Sequence, residues 1–214
     1  MLPRPDLPLT VQRRWRLISG LTAIALGVLL GVVIALRGNA ALGVDAEWME
    51  EVVEHRSPLW EVPSFVFNVL GGGLFSTVLS LALVVLFLLL RRPWTALFVG
   101  LAPLASTIVV HVIKAALGRA RPDEIMLSLE SGSFPSGHVA NAATLMAVLV
   151  IVLWRWWVLA AGVVYVVLMA LSRTYLGAHW LSDTVGGLLI GAGVAVIAWA
   201  PFAARILSER RATR

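Results

Sequence analysis

The segment SRTYLGAHWLSD, residues 172–183, places an arginine, a histidine and an aspartate between two long apolar runs. A transmembrane helix needs about 20 apolar residues, and both flanking runs approach that length. Charged groups at the edge of a membrane span are costly and usually mark a function. The segment therefore predicts two membrane helices joined by a short turn, with Arg173, His179 and Asp183 as candidates for a functional site.

The rest of the sequence extends this architecture to the whole chain. Of its 214 residues, 59% are hydrophobic and only 14% are charged, whereas soluble domains carry about 25% charged residues. We expect an all-α integral membrane bundle of six transmembrane helices, forming a single domain over residues 1–214. The predicted spans cover approximately residues 15–36, 65–90, 94–113, 138–154, 156–172 and 180–204.

Two features refine these spans. The first apolar run is too long for a typical signal peptide, so we expect an uncleaved span. The glycine run at residues 71–73 lies inside the second predicted span. Small residues let membrane helices approach closely, so this run indicates close helix packing or a bend.

The basic residues predict the orientation, because cytoplasmic loops of membrane proteins are enriched in them. Of the 17 basic residues, 11 lie on the side of the amino terminus and six on the opposite side, namely Arg37, Arg56, Lys114, Arg119, Arg121 and Arg173. We therefore expect a multi-pass protein of the inner (plasma) membrane with both termini in the cytoplasm. Segments 37–64, 114–137 and 173–179 would face the periplasm or exterior. The basic residues are dispersed at the ends of apolar runs, so no nucleic-acid partner is expected.

Segment 45–56 predicts a short amphipathic helix on the outer side. Apolar residues between Trp48 and Val53 recur at helical spacing, and Asp45 is suited to be the N-cap. Such a helix can lie on the membrane surface. A solvated loop helix without membrane contact is the alternative.

A polar cluster, FPSGH at residues 134–138, precedes a long predicted helix on the outer side. Ser136 is suited to cap this helix, whose free N–H groups and positive dipole end favour a phosphate. Gly137 would allow the backbone to approach a bound group closely, and His138 would lie beside that group. Taken alone, the cluster is better explained by an ordinary helix cap.

Another outer cluster, KAALGRARP at residues 114–122, supplies cations. Arginine offers a planar fork that matches phosphate oxygens, and lysine offers a compact point charge. Lys114 and Arg121 can therefore bind the same anion as the FPSGH cluster. A charged loop facing anionic lipid headgroups is the alternative, and it suits Arg119 well.

His179 and Asp183 lie four residues apart at the start of the last predicted span, so they share one helix face. A carboxylate bonded to one ring nitrogen fixes the histidine tautomer and leaves the other nitrogen free to attack. For this segment alone, a structural pair of Arg173 and Asp183 beside an uninvolved histidine is the alternative.

A histidine and an aspartate at this spacing could also bind a metal. However, Lys114, Arg121 and Arg173 would repel a divalent cation and attract an anion. The combined clusters therefore favour a phosphate pocket without a metal, since phosphoryl transfer mostly needs positioning and charge neutralisation. Cysteine is absent, which excludes thiolate metal ligands and a thiol nucleophile.

Three motifs with intact internal spacing run through residues 114–183. In the first motif, six residues separate Lys114 from Arg121-Pro122. The second motif is Pro135-Ser136-Gly137-His138. In the third, five residues separate Ser172-Arg173 from His179, and three more residues separate His179 from Asp183. This arrangement resembles the type 2 phosphatidic acid phosphatase superfamily. With the predicted spans, the resemblance covers nearly the whole chain.

The resemblance implies that His179 is a nucleophile that forms a phosphohistidine, that Asp183 orients it, and that His138 protonates the leaving group. It implies that the phosphoryl oxygens are held by Lys114, Arg121, Ser136, Gly137 and Arg173. It also implies a lipid phosphatase without metal or cofactor, and the distribution of basic residues places its site on the outer membrane face. Its substrate would be a lipid phosphate such as undecaprenyl pyrophosphate, phosphatidylglycerophosphate or phosphatidic acid. A lipid phosphotransferase and, less favoured, an anion or lipid transporter are the alternatives.

Overall fold

The computed structural model describes residues 9–129 and 132–212, and within these ranges the chain forms nine α-helices and no β-strand. In lipid, backbone polar groups must be satisfied internally, and apolar segments achieve this as helices. The predicted all-α architecture is confirmed. The helices are α1 (Leu9–Leu36), α2 (Gly43–Glu54), α3 (Pro58–Gly71), α4 (Gly73–Leu89), α5 (Pro93–Leu117), α6 (Gly137–Leu153), α7 (Trp156–Tyr175), α8 (Leu181–Trp199) and α9 (Ala203–Ala212).

Four helices in the described part of the chain are long and apolar enough to cross a membrane, namely α1, α5, α7 and α8. α3 and α4 pass the same test together, as one span bent by 53°. α6 has 17 residues, slightly fewer than the roughly 20 that usually cross a bilayer. The structure thus contains four to five of the six predicted spans by length and composition, and α6 stays a predicted sixth span. The chain ends predicted to be cytoplasmic include residues 1–8 and 213–214, which lie outside the described residues.

The second predicted span, residues 65–90, is not one continuous helix. It begins earlier, at Pro58, and it breaks at Gly72. The N–H of Gly72 donates to the carbonyl oxygen of Val69 at 3.1 Å rather than to that of Asn68, four residues back, as in a regular helix. The break therefore releases the Asn68 carbonyl for another partner.

Gly71 brings α3 close to its neighbours in the bundle. A Cβ atom at this position would lie 2.8 Å from Cδ2 of His138 and 2.6 Å from Sδ of Met169. Real side chains do not tolerate such distances, so only glycine fits here without a shift of the Met169 and His138 side chains. The close packing and the bend that the glycine run indicates are both confirmed.

Two other predicted boundaries are wrong. The last predicted span, residues 180–204, ends at Trp199, because Pro201 lacks the N–H that would continue the helical bonding. Asp45 is not the N-cap of α2, since Leu42 holds that position. Asp45 lies in the first turn instead, and its Oδ2 accepts a hydrogen bond from the Leu42 N–H at 3.1 Å.

α8 packs mainly between α1 and α6, and glycines make the approach to α6 close. A Cβ atom at Gly187 would lie 2.5 Å from the carbonyl oxygen of Ser136, and one at Gly191 would collide with the carbonyl of Ala140. Small residues commonly mediate such contacts between membrane helices. This packing sets the start of α6 directly against the first turns of α8.

Replacing Gly187 by alanine is expected to lower stability by about 1–3 kcal/mol, the usual cost of overpacking. The added methyl group would push away the Ser136 carbonyl and, with it, the start of α6. Thermal unfolding in detergent micelles measures the effect. Gly73→Ala is the matched control, because a Cβ atom there meets nothing within 4 Å. An unchanged unfolding midpoint for Gly187→Ala would contradict the close packing.

Candidate active site

The three polar clusters predicted from the sequence meet at one end of the bundle, where α5 and α7 end and α6 and α8 begin. The N–H of Ser136 donates to the carbonyl oxygen of Asp183 at 2.9 Å, which joins the second and third clusters. Nη1 of Arg121 donates to the carbonyl oxygen of Ala178, which joins the first and third clusters. Residues that are distant in sequence therefore form one site.

Two cations from the first cluster surround the loop that leads to α6. Nζ of Lys114, in the last turn of α5, donates to the carbonyl oxygens of Gly132 at 2.6 Å and Ser133 at 3.3 Å. Nη2 of Arg121 donates to the same Gly132 carbonyl at 3.3 Å. The two charged groups thus converge on one oxygen atom near the start of α6.

Ser136 is the N-cap of α6, as predicted. It is buried, and its Oγ accepts a long hydrogen bond of 3.5 Å from the N–H of Val139. A Cβ atom at Gly137 would meet only Val110, at an ordinary contact distance of 3.8 Å. Packing within the described chain therefore does not require glycine at this position, and the start of α6 is open to a close approach by another group.

His179 and Asp183 form a buried pair at the start of α8, with 2% and 0% of their surfaces exposed. Nδ1 of His179 lies 3.6 Å from Oδ2 of Asp183, which is longer than a hydrogen bond. Burial and the charges of Lys114 and Arg173 hold the pKa of His179 well below its ordinary value. The imidazole is therefore neutral, which is the form that can act as a nucleophile or a base.

His138 and Arg173 both contact Asn68 of α3. Nε2 of His138 lies 3.0 Å from the Asn68 carbonyl oxygen, and as that oxygen only accepts hydrogen bonds, Nε2 carries the proton. Nη1 of Arg173 donates to Oδ1 of the same asparagine at 2.6 Å. The carbonyl that the break at Gly72 releases is thus the one that orients His138.

Arg173 is fully buried, yet part of its guanidinium is unsatisfied. Its Nε and Nη2 atoms have no hydrogen-bond partner among the residues that the structure describes. Buried donors, and charged donors above all, are costly when unpaired. The arrangement therefore suits a ligand that brings several acceptor oxygens to Arg173.

The interpretation of Arg119 as a loop residue facing lipid headgroups is wrong. Its side chain is fully buried, and it bridges Asp45 at 2.8 Å and Asp183 at 2.6 Å. Its Nη1 also donates to Oγ of Ser182 at 2.8 Å. The burial arises because the loop after α5 folds inward against α2 and α8, which no local sequence pattern indicates.

Sequence reasoning missed Asn68, which contacts His138 and Arg173, and Asp45, which reaches the predicted site through Arg119 and Ser182. Asp45 reaches it only through the tertiary packing of α2 against α8. Asn68 carries a usable signal, because a polar residue inside an apolar span usually faces the bundle interior and a function.

Within the described residues, one group of three side chains has the spacing of a metal site, namely Glu51, Glu54 and His55 on α2. All three are exposed, and exposed acidic groups commonly occur without a metal. In the candidate site, the carboxylate of Asp183 is already bonded to Arg119. The donor set beside His179 therefore suits an anion better than a metal cation.

Comparison with known proteins identifies the family. The family model of the PAP2 superfamily matches residues 95–206, more than half of the chain and all three motifs. Phosphatidylglycerophosphatase B of Bacillus subtilis is 31% identical over 167 residues, which cover 72% of this chain and 75% of that protein. An undecaprenyl-diphosphatase of Sulfolobus acidocaldarius is 35% identical over 66 residues, or 30% of this chain and 31% of that protein.

A solved structure shows the same fold. The crystal structure of a transmembrane PAP2-type phosphatidylglycerolphosphate phosphatase from Bacillus subtilis superposes with a TM-score of 0.74 at 24% identity, covering 84% of this chain and 94% of that one. The relatives confirm the predicted enzyme class, a hydrolase of lipid phosphates, and the expectation of an integral membrane protein. The chain belongs to the PAP2 superfamily.

Proposed function

We propose that the protein is a membrane-embedded lipid phosphatase that hydrolyses a phosphate monoester or diphosphate headgroup through a phosphohistidine on His179. One observation carries the proposal. Buried Arg173, whose Nε and Nη2 lack partners among the described residues, lies one short turn before the buried, neutral His179. A phosphoryl group has the several anionic oxygens that these donors require, and family membership supports the same chemistry.

In the first step, the free ring nitrogen of His179 attacks phosphorus. A nitrogen–phosphorus bond forms while the bond from phosphorus to the leaving oxygen breaks. His138 gives the proton on its Nδ1 to the leaving oxygen. The bound phosphate stabilises the imidazolium form that carries this proton, while Nε2–H stays bonded to the Asn68 carbonyl. Asp183 holds Nδ1 of His179 and stabilises the charge that develops on the imidazole. The present separation of 3.6 Å fits this role, because catalytic hydrogen bonds are often long before substrate binds.

In the second step, water attacks the phosphohistidine. His138, now the neutral imidazole, accepts a proton from the water at Nδ1, and the nitrogen–phosphorus bond breaks. His179 returns to its neutral form, and inorganic phosphate leaves. Asn68 keeps His138 in one orientation throughout, since its carbonyl oxygen bonds to Nε2.

Charge neutralisation comes from Lys114, Arg121 and Arg173, with the free N–H groups at the start of α6. Phosphoryl transfer depends largely on such positioning and electrostatic stabilisation. Ser136 and Gly137 would let the phosphoryl oxygens approach the backbone, consistent with the open space beside Gly137. This assignment needs no metal or other cofactor.

We place the reaction on the outer face of the inner (plasma) membrane. The basic residues favour cytoplasmic termini, with α6 as a sixth span and the whole of residues 1–214 as one membrane domain. The site then lies at the outer ends of the spans. α2 would lie at the outer membrane surface, with its buried residues Asp45 and Met49 facing the bundle.

The substrate class follows from the site and the relatives together. The named relatives act on phosphatidylglycerophosphate and on undecaprenyl diphosphate, which share a terminal phosphate on a lipid. The residues of the site contact that phosphate, so phosphatidylglycerophosphate, undecaprenyl pyrophosphate and phosphatidic acid all remain candidates. Lipid tails would stay in the membrane while the headgroup enters the site.

Phosphate release from a panel of pure lipid phosphates, with protein in detergent micelles, tests the proposal. Release of inorganic phosphate would support hydrolysis. Labelled phosphate that appears on a second lipid would indicate a phosphotransferase instead. Anion uptake into liposomes without any phosphate release would indicate a transporter and overturn the proposal.

Replacing Arg173 by lysine is expected to lower kcat/KM by about 10²–10³-fold, as removal of one charge-stabilising donor does in other enzymes. Lysine keeps the charge but loses the planar fork and the bond geometry to Asn68. Phosphate release is the measurement. The control is Arg155→Lys at the exposed start of the same helix. Equal activity of the two variants would exclude Arg173 from phosphate binding.

A further inference from the structure

A buried arginine connects the outer helix α2 to the carboxylate beside His179. Arg119 donates from Nη1 to Oδ1 of Asp183 at 2.6 Å and from Nη2 to Oδ2 of Asp45 at 2.8 Å, and all three side chains are fully buried. Asp183 uses its other oxygen, Oδ2, to accept from the Trp180 N–H at 2.8 Å and to face His179. Arg119 and the Trp180 N–H together therefore determine which carboxylate oxygen faces the histidine.

Asp45 also holds the backbone next to Asp183. Its Oδ1 accepts from the N–H of Ser182 at 2.8 Å, and its Oδ2 accepts from Oγ of Ser182 at 2.7 Å. Ser182 lies in the first turn of α8, one residue before Asp183. Asp45 thus holds Asp183 in place in two ways, through Arg119 and through its bonds to Ser182 in the first turn of α8.

One arginine lies between two buried carboxylates and bonds to both of them. Buried ion pairs add little to stability by themselves, and their best-attested use is to specify a geometry. Here the specified geometry is the orientation of Asp183 toward His179.

We propose that Asp45 and Arg119 are positioning residues for phosphoryl transfer, acting on His179 through Asp183. The inference rests on the proposed function, because it locates their effect at the nucleophile. Asp45 lies outside residues 95–206, the segment that matches the family model. Helix α2 therefore supplies a part of the catalytic unit that the three motifs do not contain.

Asp45→Asn tests this role with the smallest change in shape. The amide keeps one acceptor oxygen but loses the charge, and its NH₂ group cannot accept from Arg119. The single-turnover rate constant for phosphoryl transfer from a short-chain lipid phosphate, at saturating enzyme excess, is expected to fall about 10–100-fold, as for supporting residues in other sites. Inhibition by inorganic phosphate should not change, because Lys114, Arg121 and Arg173 are intact and phosphate binds without forming a bond to His179.

Variants of Arg119 test whether Asp45 acts on Asp183 through this arginine. Arg119→Lys should show a smaller loss than Arg119→Met, since an ammonium group can still bind one carboxylate. The double variant Asp45→Asn/Arg119→Met should lose less than the product of the two single losses, because Asp45 acts partly through Arg119. Fully multiplicative losses would overturn the proposed route.

A matched control separates positioning from stability. Glu209 is a carboxylate that holds α9 to the start of α5, accepting from the N–H groups of Trp94 at 2.7 Å and Thr95 at 3.0 Å. That end of α5 lies about 30 Å from Lys114 by helix rise. Glu209→Gln should lower the unfolding midpoint without changing the single-turnover rate constant.

The two possible failures are distinguishable. If Asp45→Asn lowers only the unfolding midpoint and keeps the wild-type rate constant, Asp45 is merely structural and this inference is wrong. If His179→Ala keeps wild-type phosphate release, the proposed function itself is wrong. A loss in His179→Ala together with a wild-type rate constant in Asp45→Asn would overturn the positioning role alone.

Discussion

Replacement of His179 by alanine is expected to abolish phosphate release from every lipid phosphate, lowering kcat by about 10⁴-fold or more, as loss of a covalent nucleophile does elsewhere. Alanine has no atom that can accept the phosphoryl group. His179 is buried and neutral. Of the groups around it, Lys114, Arg121 and Arg173 are cations, and Asp183 is already bonded to Arg119. Phosphate release and alkaline trapping of labelled phosphoenzyme are the two measurements.

The matched control is His55→Ala, because His55 is exposed at the end of α2 and bonds only locally to Glu51 in the described structure. It should keep wild-type turnover and form the phosphoenzyme. The mechanism would be refuted by a folded His179→Ala protein that still forms a labelled phosphoenzyme, since the phosphoryl group would then be carried by another residue.

Replacement of His138 by alanine is expected to lower turnover of alkyl phosphates by about 10²–10⁴-fold, the usual contribution of a general acid or base. The loss should be much smaller for the first step with an aryl phosphate, because a phenolate-type leaving group needs little protonation. With either substrate, hydrolysis of the phosphohistidine would be slow in this variant, because no base removes a proton from the attacking water. The variant should therefore accumulate phosphoenzyme where the wild type does not.

Leaving-group dependence and phosphoenzyme accumulation together identify the role of His138. An equal loss with alkyl and aryl phosphates, without accumulation, would show that His138 supports only binding or packing. His111→Ala offers a comparison, since His111 is exposed on α5 and contacts the carbonyl oxygen of Thr107 in its own helix. It should behave like the wild type with both substrates.

The spacing of residues along the chain is enough to predict the membrane helices and part of the candidate site. Apolar runs indicate membrane helices because lipid leaves the backbone few alternatives, and the four longest helices follow them. His179 and Asp183 are adjacent because four residues make one helical turn. Ser136 caps α6 because a serine before an apolar run satisfies the free N–H groups there.

Tertiary packing decided what the sequence could not predict. Arg119 reads as a loop charge because its partners are distant in sequence, Asp45 by 74 residues and Asp183 by 64. The break at Gly72 was open between packing and bending, because a glycine run permits both. Its effect on Asn68 emerges only when α3 lies against α6 and α7.

The break in the second span has a consequence for how the two chemical tasks are divided. In the proposed mechanism, Asn68, whose carbonyl oxygen is released at that break, orients the proton donor His138, and its side chain also binds Arg173. Asp45, on α2, would instead support His179 through Asp183. Asn68 and Asp45 both lie outside the matched segment 95–206. Substitutions in the first third of the chain can therefore impair proton transfer and nucleophilic attack independently of one another.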